Sequence, residues 1–279
     1  MLVITVSRQY GSGGSLFARN LAEHLGYSYL DEAFIKKLNS DDEVTAALFA
    51  SIEDEPEPSL SMRLKDLFSK RSFFKLALEA SIYEMALNNH VVIVGGGAHI
   101  ILQGYPGMIA IQMVRNLSDR VKDIATEKGI AYEEALKLIE QRDKAKRKFI
   151  TYYFDRELFN PLDFNLTFNA SMVTLEDGIH ILDSYAKRHF SRVNMEEARS
   201  FLTRRLLEKK AEILLLKKGL DSHYGKITFE AIDDDTLVVK GIIDGEEKKK
   251  RLMKALMGLK GLKNVEERLK VEVLSGLLY

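Results

Sequence analysis

A glycine-rich loop between a short apolar strand and an amphipathic helix is the part of this sequence best suited to chemistry. The predicted strand covers 2–7, and the following loop contains Gly11, Gly13 and Gly14 before a helix begins near Ser15. Glycines let backbone N–H groups turn toward an anion, and the helix N-terminus adds partial positive charge at the same point. The alternative is a plain strand-to-helix turn without a ligand, which needs fewer glycines than this loop has. We therefore predict a phosphate-binding site here.

The loop matches the phosphate-loop pattern GxxxxGK[ST] only in part. Gly13 takes the second glycine and Ser15 takes the hydroxyl residue that would hold Mg²⁺, whereas Arg8 stands at the first glycine and Gly14 at the lysine. We predict that the loop binds the triphosphate of ATP and that Arg8 replaces part of the missing lysine's charge. The predicted nucleotide-binding residues are Arg8, Gly11, Ser12, Gly13, Gly14 and Ser15, with Ser15 also the metal ligand.

Composition and charge exclude several classes of protein. The 279 residues contain 41 basic and 41 acidic side chains, so nothing in the net charge favours nucleic acid as a partner, and none is expected. The absence of cysteine excludes a disulfide scaffold, thiol catalysis and cysteine-ligated zinc. The opening apolar run is too short for a signal peptide, and no run approaches the roughly 18 apolar residues of a membrane span. We therefore expect a cytoplasmic protein.

The first part of the chain reads as an α/β fold. Up to about residue 190, strands alternate with helices, which is typical of a doubly wound parallel sheet that binds ligands at the carboxyl ends of its strands. A polar, acidic stretch at 40–61 is predicted to be a mobile excursion. After the first strand, further strands are predicted at 27–30, 91–94, 108–114 and 164–168, and helices at 64–88, 118–128, 132–148 and 174–188.

The pattern changes after residue 190 and predicts a second, smaller domain. A long helix at 194–218 is followed by strands at 226–232 and 236–243, a helix at 246–259 and a strand at 268–274. This α-β-β-α-β unit of about 85 residues is long enough to be a small α+β domain of its own. We therefore predict two domains, 1–190 and 195–279.

Several segments of the first domain resemble the cytidylate-kinase-like branch of the P-loop nucleoside monophosphate kinases. In chain order they are ITVSRQYGSGGS, YSYLDEAFI, VVIVGGGAHIIL, DRVKDIATEKGIAYEEALKLIEQRDKAK and FNLTFNAS, within residues 2–190. The resemblance implies a five-stranded parallel core that binds ATP and Mg²⁺ on the first loop and a nucleoside monophosphate opposite it. The implied reaction is transfer of the γ-phosphoryl group of ATP to CMP or dCMP.

The resemblance also implies which residues face the acceptor nucleotide. Asp31 matches the acidic residue that follows the second strand in this family. Gly95 and Gly97 lie in the segment after the third strand, which contributes to the same substrate site. We therefore expect Asp31, Gly95 and Gly97 to bind the acceptor.

Three further residues match positions that act on the transferred phosphate. Arg120 matches an arginine of the helix after the fourth strand, and Asp143 with Lys146 matches the D-x-x-R element of the lid. Phosphoryl transfer depends on cations around the moving charge rather than on a strong nucleophile. The implied catalytic residues are Arg120, Asp143 and Lys146, while the basic run at 142–148 has a solvated helix face as its alternative.

Some positions depart from the family pattern and leave two function classes open. Arginine is the natural bidentate partner of a phosphate, so its loss bears on activity. The first class is an active kinase with an appended binding module, and the second is a catalytically decayed nucleotide-binding sensor or scaffold. The departures are Gly96 for the arginine of a GRG segment, Lys146 for the lid arginine, Phe149 for a tyrosine, and Phe164 with Asn165 for the Tyr-Asp pair that precedes a retained Asn169.

The C-terminal residues resemble a BON domain in the stretch DDDTLVVKGIIDGEEKKKRLMKALMGLKGLKNVEERLKVEVL. The resemblance implies a binding module for a partner protein or an anionic phospholipid. The basic run at 248–251 could meet anionic headgroups. Its alternative is a solvated helix face whose lysines pair with Glu246 and Glu247.

Overall fold

The structure is a computed structural model that describes residues 1–31, 64–220 and 225–272. The chain divides into two compact units. Within the described ranges, the first unit contains 1–31 and 88–198, and the second contains 64–87, 199–220 and 225–272. The acidic excursion predicted at 40–61 lies outside the described residues. No helix in the described ranges is long and apolar enough to cross a membrane.

Eight α-helices lie within the described ranges, and seven of them begin within one residue of the sequence-based boundary. The clearest correction is the fifth helix, which was expected to end at 148 but continues to Phe154, because Ile150 is buried and Asp155 then takes a left-handed φ of 53°. In chain order the helices are α1 Gly14–Leu25, α2 Leu64–Asn88, α3 Ala98–Ile101, α4 Leu117–Lys128, α5 Tyr132–Phe154, α6 Leu175–Phe190, α7 Met195–Lys217 and α8 Glu246–Leu256.

A five-stranded parallel sheet forms the centre of the first unit, as the sequence predicts. The spatial order of its strands is β2-β3-β1-β4-β5. Strand β3 is buried along its whole length, which is expected of a parallel strand covered on both faces. The strands are β1 Val3–Arg8, β2 Ser28–Leu30, β3 Val91–Val94, β4 Met108–Val114 and β5 Leu166–Asn169.

The core of the first unit joins this sheet to α1 and α6. Phe17 and Leu21 of α1 are fully buried against the apolar strands, and Leu182 of α6 belongs to the same cluster. The side chain of Thr174 caps the start of α6, since its hydroxyl accepts from the N–H of Asp177 at 3.1 Å. Packing and capping together place the carboxyl ends of the strands beside the N-terminus of α1.

The second unit contains a three-stranded mixed sheet and confirms the predicted α-β-β-α-β order. Strands β6 Thr228–Ala231 and β7 Thr236–Asp244 are antiparallel, and β8 Asn264–Glu272 pairs in parallel with β7. The prediction for β8 began at 268, four residues late, because pairing with β7 already starts at Asn264. Leu207, Ala211 and Leu215 of α7 pack in the apolar core of this sheet.

Helix α2 groups with the second unit, whereas the predicted boundary places it in 1–190. The reason lies in its contacts with α7: Lys209 lies 3.1 Å from Glu79, and Lys210 lies 3.0 Å from Glu84. Burial also raises the pKa of Tyr83 on α2 to about 12, with the charge of Glu79 as a further cause. Independent folding of 1–190 and 195–279 stays a prediction.

Candidate functional site

The backbone of the glycine loop has the shape of an anion-binding turn. Strand β1 ends at Arg8 and α1 begins at Gly14, and Gly11 and Gly13 between them have left-handed φ values of 74° and 81°. Gly13 is the N-cap of α1 and has no side chain that could accept from the first N–H groups of the helix. These backbone N–H groups can therefore face an anion. The predicted nucleotide-binding residues are therefore contiguous at one end of the sheet.

Ser12 and Ser15 have different surroundings within this loop. Ser12 is buried, and its hydroxyl donates to the carbonyl of Gln9 at 2.9 Å, so its side chain stabilises the loop itself. Ser15 lies exposed in the first turn of α1. In the described ranges no group of three or more His, Asp or Glu residues could hold a metal ion by itself. A single hydroxyl fits a Mg²⁺–nucleotide complex, in which phosphates and waters supply most ligands.

Gly14 has a steric reason to be glycine. A Cβ atom at this position would lie 2.6 Å from the Cβ of Arg8 and 3.2 Å from the Cβ of Met113. Arg8 therefore occupies the space that a side chain at the lysine position of the phosphate-loop pattern would need. A side chain at position 14 is therefore excluded while residue 8 carries a Cβ, whatever the rest of its side chain. That Arg8 replaces part of the lysine's charge stays a prediction.

Arg8 is part of a charged group at the carboxyl ends of β1 and β2. The guanidinium carbon of Arg19 lies 5.4 Å from the ring centroid of Tyr29. Burial raises the pKa of the Tyr29 hydroxyl, Asp31 raises it further, and Arg19 and Arg8 lower it. Two cations, a phenol and the predicted acceptor-site carboxylate thus lie within electrostatic reach of one another. Arg19 was not among the predicted site residues. It lies four residues after Ser15, one helical turn along α1.

The three predicted catalytic residues meet at the glycine loop, where each contacts main-chain atoms. Asp143 accepts from the N–H of Tyr10 at 2.8 Å and from Nη1 of Arg120 at 2.7 Å. The same Nη1 donates to the carbonyl of Tyr10 at 3.0 Å, and Nζ of Lys146 donates to the carbonyl of Arg8 at 3.3 Å. We call Arg120, Asp143 and Lys146 the loop clamp. The loop clamp holds the main-chain N–H and carbonyl of Tyr10, the residue before Gly11.

Packing between α4 and α5 positions the loop clamp. Val121 and Ile124 of α4 form a buried cluster with Ala135 and Ile139 of α5. Asp143 lies four residues after Ile139, so it is on the same face of α5 and one turn nearer to the loop. Among the other basic residues of α5, the side chains at 142, 144 and 147 are exposed, as the solvated-face alternative expects.

The backbone of the triple glycine after β3 favours glycine at each position. Gly95, Gly96 and Gly97 have left-handed φ values of 79°, 61° and 71°. A Cβ at Gly97 would lie 2.6 Å from the ring of Phe154 at the end of α5. The N–H of Gly95 donates to the carbonyl of Val6 at 3.1 Å, which keeps this segment beside β1. Position 96 has a left-handed backbone that disfavours any side chain, and this is consistent with glycine rather than arginine there.

The other departures from the family pattern have structural roles. Asn165 accepts from the N–H of Ala110 at 2.7 Å through its side chain and so extends the pairing of β4 with β5. Phe164 stacks on His99 with ring centroids 4.8 Å apart. The retained Asn169 accepts from the N–H of Ser171 at 3.0 Å and shapes the turn after β5.

The basic run at 248–251 is largely paired. Lys248 lies 2.9 Å from Asp244, Lys249 lies 2.8 Å from Glu267, and Lys250 lies 3.9 Å from Glu247. Only the contact of Lys250 with Glu247 is one that the solvated-face alternative named, because Lys248 and Lys249 pair with Asp244 and Glu267 instead.

Comparisons with known proteins cover the first unit and part of the second. The model of the cytidylate kinase-like family matches residues 3–172. The chain is similar to the cytidylate kinase of Ignicoccus hospitalis, with 27% identity over 146 residues, 52% of this chain and 76% of that protein. It is also similar to the cytidylate kinase of Aeropyrum pernix, with 26% identity over 183 residues, 66% of this chain and 98% of that protein.

Among solved structures, an uncharacterized protein from Eubacterium ventriosum shares the fold. The TM-score is 0.52 at 19% identity, and the match covers 67% of this chain and 98% of that one. The family match ends at residue 172, so it gives no support to the BON-like assignment or to a lipid or protein partner of the C-terminal unit. Both stay predictions.

Proposed function

Because this chain belongs to the cytidylate kinase-like family, we propose that it transfers the γ-phosphoryl group of ATP to a nucleoside monophosphate, CMP or dCMP. A cytoplasmic location would suit these substrates. The observation that carries the proposal is the glycine loop at the N-terminus of α1, whose Tyr10 peptide groups are held by the buried pair Arg120–Asp143.

The donor nucleotide would bind along this loop. Left-handed Gly11 and Gly13 and the N-terminus of α1 favour the anionic triphosphate. Arg8, which excludes a side chain at position 14, would supply cationic charge beside it. Ser15 would hold Mg²⁺, which when bound neutralises charge on the phosphates.

The loop clamp would act by positioning. Its side chains bond to the main chain of the loop, so they would keep the loop's N–H groups aimed at the phosphates without reorganisation during the reaction. Asp143 is buried and already accepts two hydrogen bonds, which suits it to this role more than to proton transfer.

The acceptor would bind near the charged group of Arg8, Arg19, Tyr29 and Asp31. Gly96 leaves the segment after β3 without the arginine that this family commonly has there. Arg19 and Asp31 both act electrostatically on the Tyr29 hydroxyl, and Arg19 would take over contact with the acceptor phosphate.

A coupled assay of ADP formation tests the proposal. We expect turnover with MgATP that is fastest with CMP or dCMP and slower with UMP and AMP, and that falls at least about tenfold in Arg8→Ala. Arg192→Ala, a change at an exposed arginine of the first unit, is the matched control and should have little effect. Binding of ATP by calorimetry without turnover on any of the four acceptors would favour the nucleotide-sensing alternative.

A further inference from the structure

A second cleft in the first unit extends from the helix after the triple glycine to the start of β4 and the segment before β5, away from the glycine loop. Its volume is about 160 Å³. Met108, in its wall, is the first residue of β4, and Asp163 lies three residues before β5 begins. The glycine loop follows the carboxyl end of β1, which runs parallel to β4. The cleft is therefore distinct from the proposed phosphate site.

His99 is the most unusual group in this cleft. Its residue is 6% exposed, and its Nε2 is buried without a hydrogen-bond partner among the described residues. The ring is fixed by stacking on Phe164, with an interplanar angle of 28°. A buried polar atom without a partner costs free energy, so a ligand that reaches His99 and satisfies this ring would be favoured.

The polar lining of the cleft is electrically balanced. Nη2 of Arg156 donates to Oε1 of Gln103 at 2.9 Å, and Nη1 of Arg156 lies 4.0 Å from Oδ1 of Asp163. Burial lowers the pKa of His99 to about 4, while Asp163 raises it and Arg156 lowers it. At neutral pH the imidazole of His99 is therefore uncharged, and the charges of Arg156 and Asp163 in the cleft wall balance each other. A neutral ligand fits this balance better than an ion does.

Size and shape limit the ligand further. A cavity of about 150 Å³ in another protein holds one benzene molecule, so this cleft has room for one ring. Ile100, Met108 and Leu162 give it apolar walls, while Gln103, Arg156 and Asp163 offer both donors and acceptors. We propose that the cleft binds a neutral single-ring heterocycle that carries a hydrogen-bond donor and an acceptor on one edge.

Three ring compounds of similar size test this proposal on the full chain. Uracil has the required neutral donor–acceptor edge, benzoate is an anion, and toluene has no polar group. We expect uracil to shift the NMR signals of the His99 ring and to bind at least tenfold more tightly than benzoate or toluene. Saturating MgATP should leave the affinity for uracil unchanged, since the cleft is distinct from the proposed phosphate site.

Variants locate the binding. His99→Phe keeps a ring for stacking, and Arg156→Leu changes a partly exposed side chain that the fold can lose; each should weaken uracil at least tenfold by ligand-observed NMR. His180→Phe and Arg192→Leu are the controls and should leave the affinity unchanged, because both residues are exposed elsewhere in the unit. The proposal is overturned if uracil causes no shift at millimolar concentration, if MgATP displaces it, or if both cleft variants bind it normally. These outcomes leave the proposed kinase activity untouched.

Discussion

At the residue scale, Asp143 is the buried charge that joins α5 to the glycine loop. It accepts from Tyr10 and Arg120 in a site where neither charged side chain reaches solvent freely. A buried pair of this kind is strongly destabilised when one partner loses its charge, because the other charge is left uncompensated.

Asp143→Asn should therefore lower the free energy of unfolding by about 3–5 kcal/mol and weaken ATP binding. The loss arises because Arg120 would stay buried without a counter-charge. Chemical denaturation measures the first effect and calorimetry the second. Glu140→Gln, an exposed change on the same helix, should be nearly neutral in both. A stable Asp143→Asn protein with normal ATP affinity would show that the loop clamp does not position the glycine loop.

Gly14→Lys would complete the phosphate-loop pattern, yet it should reduce ATP affinity by at least about tenfold. The reason is steric, since the new Cβ would lie 2.6 Å from the Cβ of Arg8. Arg8→Gly with Gly14→Lys removes the Cβ at position 8 and moves the cation to position 14, and should recover most of the lost affinity. Calorimetry on both variants decides the point, and equal affinities in the single and double variants would argue against a shared space.

His99 gives a pH dependence of stability with a defined sign. Its pKa is lowered from 6.5 to about 4 in the folded protein, so between these pH values the unfolded chain binds the proton and the folded chain does not. Stability from this residue is complete above pH 6.5 and falls as the pH is lowered toward 4, by on the order of 3 kcal/mol. The pH profile of the unfolding free energy for the wild type minus that for His99→Phe should show this loss, and a flat difference would contradict it.

At the element scale, contacts between distant segments hold α5 against the site. The clamp joins α5 to the loop, and Phe154 at its other end packs over Gly97. The extension of α5 beyond its predicted end is what brings Phe154 to this position. Helix α5 therefore links the donor side of the site to the segment expected to bind the acceptor.

Gly97→Ala tests this link, with Gly104→Ala as the matched control. Both glycines have left-handed φ values, 71° and 84°, so both variants bear a backbone cost of about 1–2 kcal/mol. Only at Gly97 would the new Cβ meet a side chain, at 2.6 Å from the Phe154 ring, whereas nothing lies within 4 Å at Gly104. Urea denaturation should show the larger loss for Gly97→Ala. If both variants lose the same amount, the packing of Phe154 on Gly97 does not constrain α5.

At the scale of the whole molecule, local sequence patterns predicted the helices and strands, whereas contacts between residues far apart in sequence determine the geometry of the candidate site. The β1–loop–α1 segment could be predicted because its glycines, apolar run and helix are adjacent in sequence. The bond from Asp143 to Tyr10 joins residues 133 positions apart, and no periodicity reports such a pairing. The same holds for Gly14, whose need to be glycine comes from Arg8 and Met113 in the folded chain.

The grouping of α2 shows the same limit. Its apolar spacing predicts a helix, which is present. Alternation of strands and helices suggested that it belongs to the first domain, whereas its contacts group it with α7. The ion pairs of Lys209 and Lys210 with α2 are visible only once α7 has folded beside it.

The most direct test of the proposed function is transfer of label from [γ-³²P]ATP to CMP by the full chain with Mg²⁺. We predict that the wild type forms labelled CDP within single-turnover time and that Arg8→Ala forms much less. Labelled CDP absent from the wild type, under conditions in which calorimetry shows that both nucleotides are bound, would contradict it.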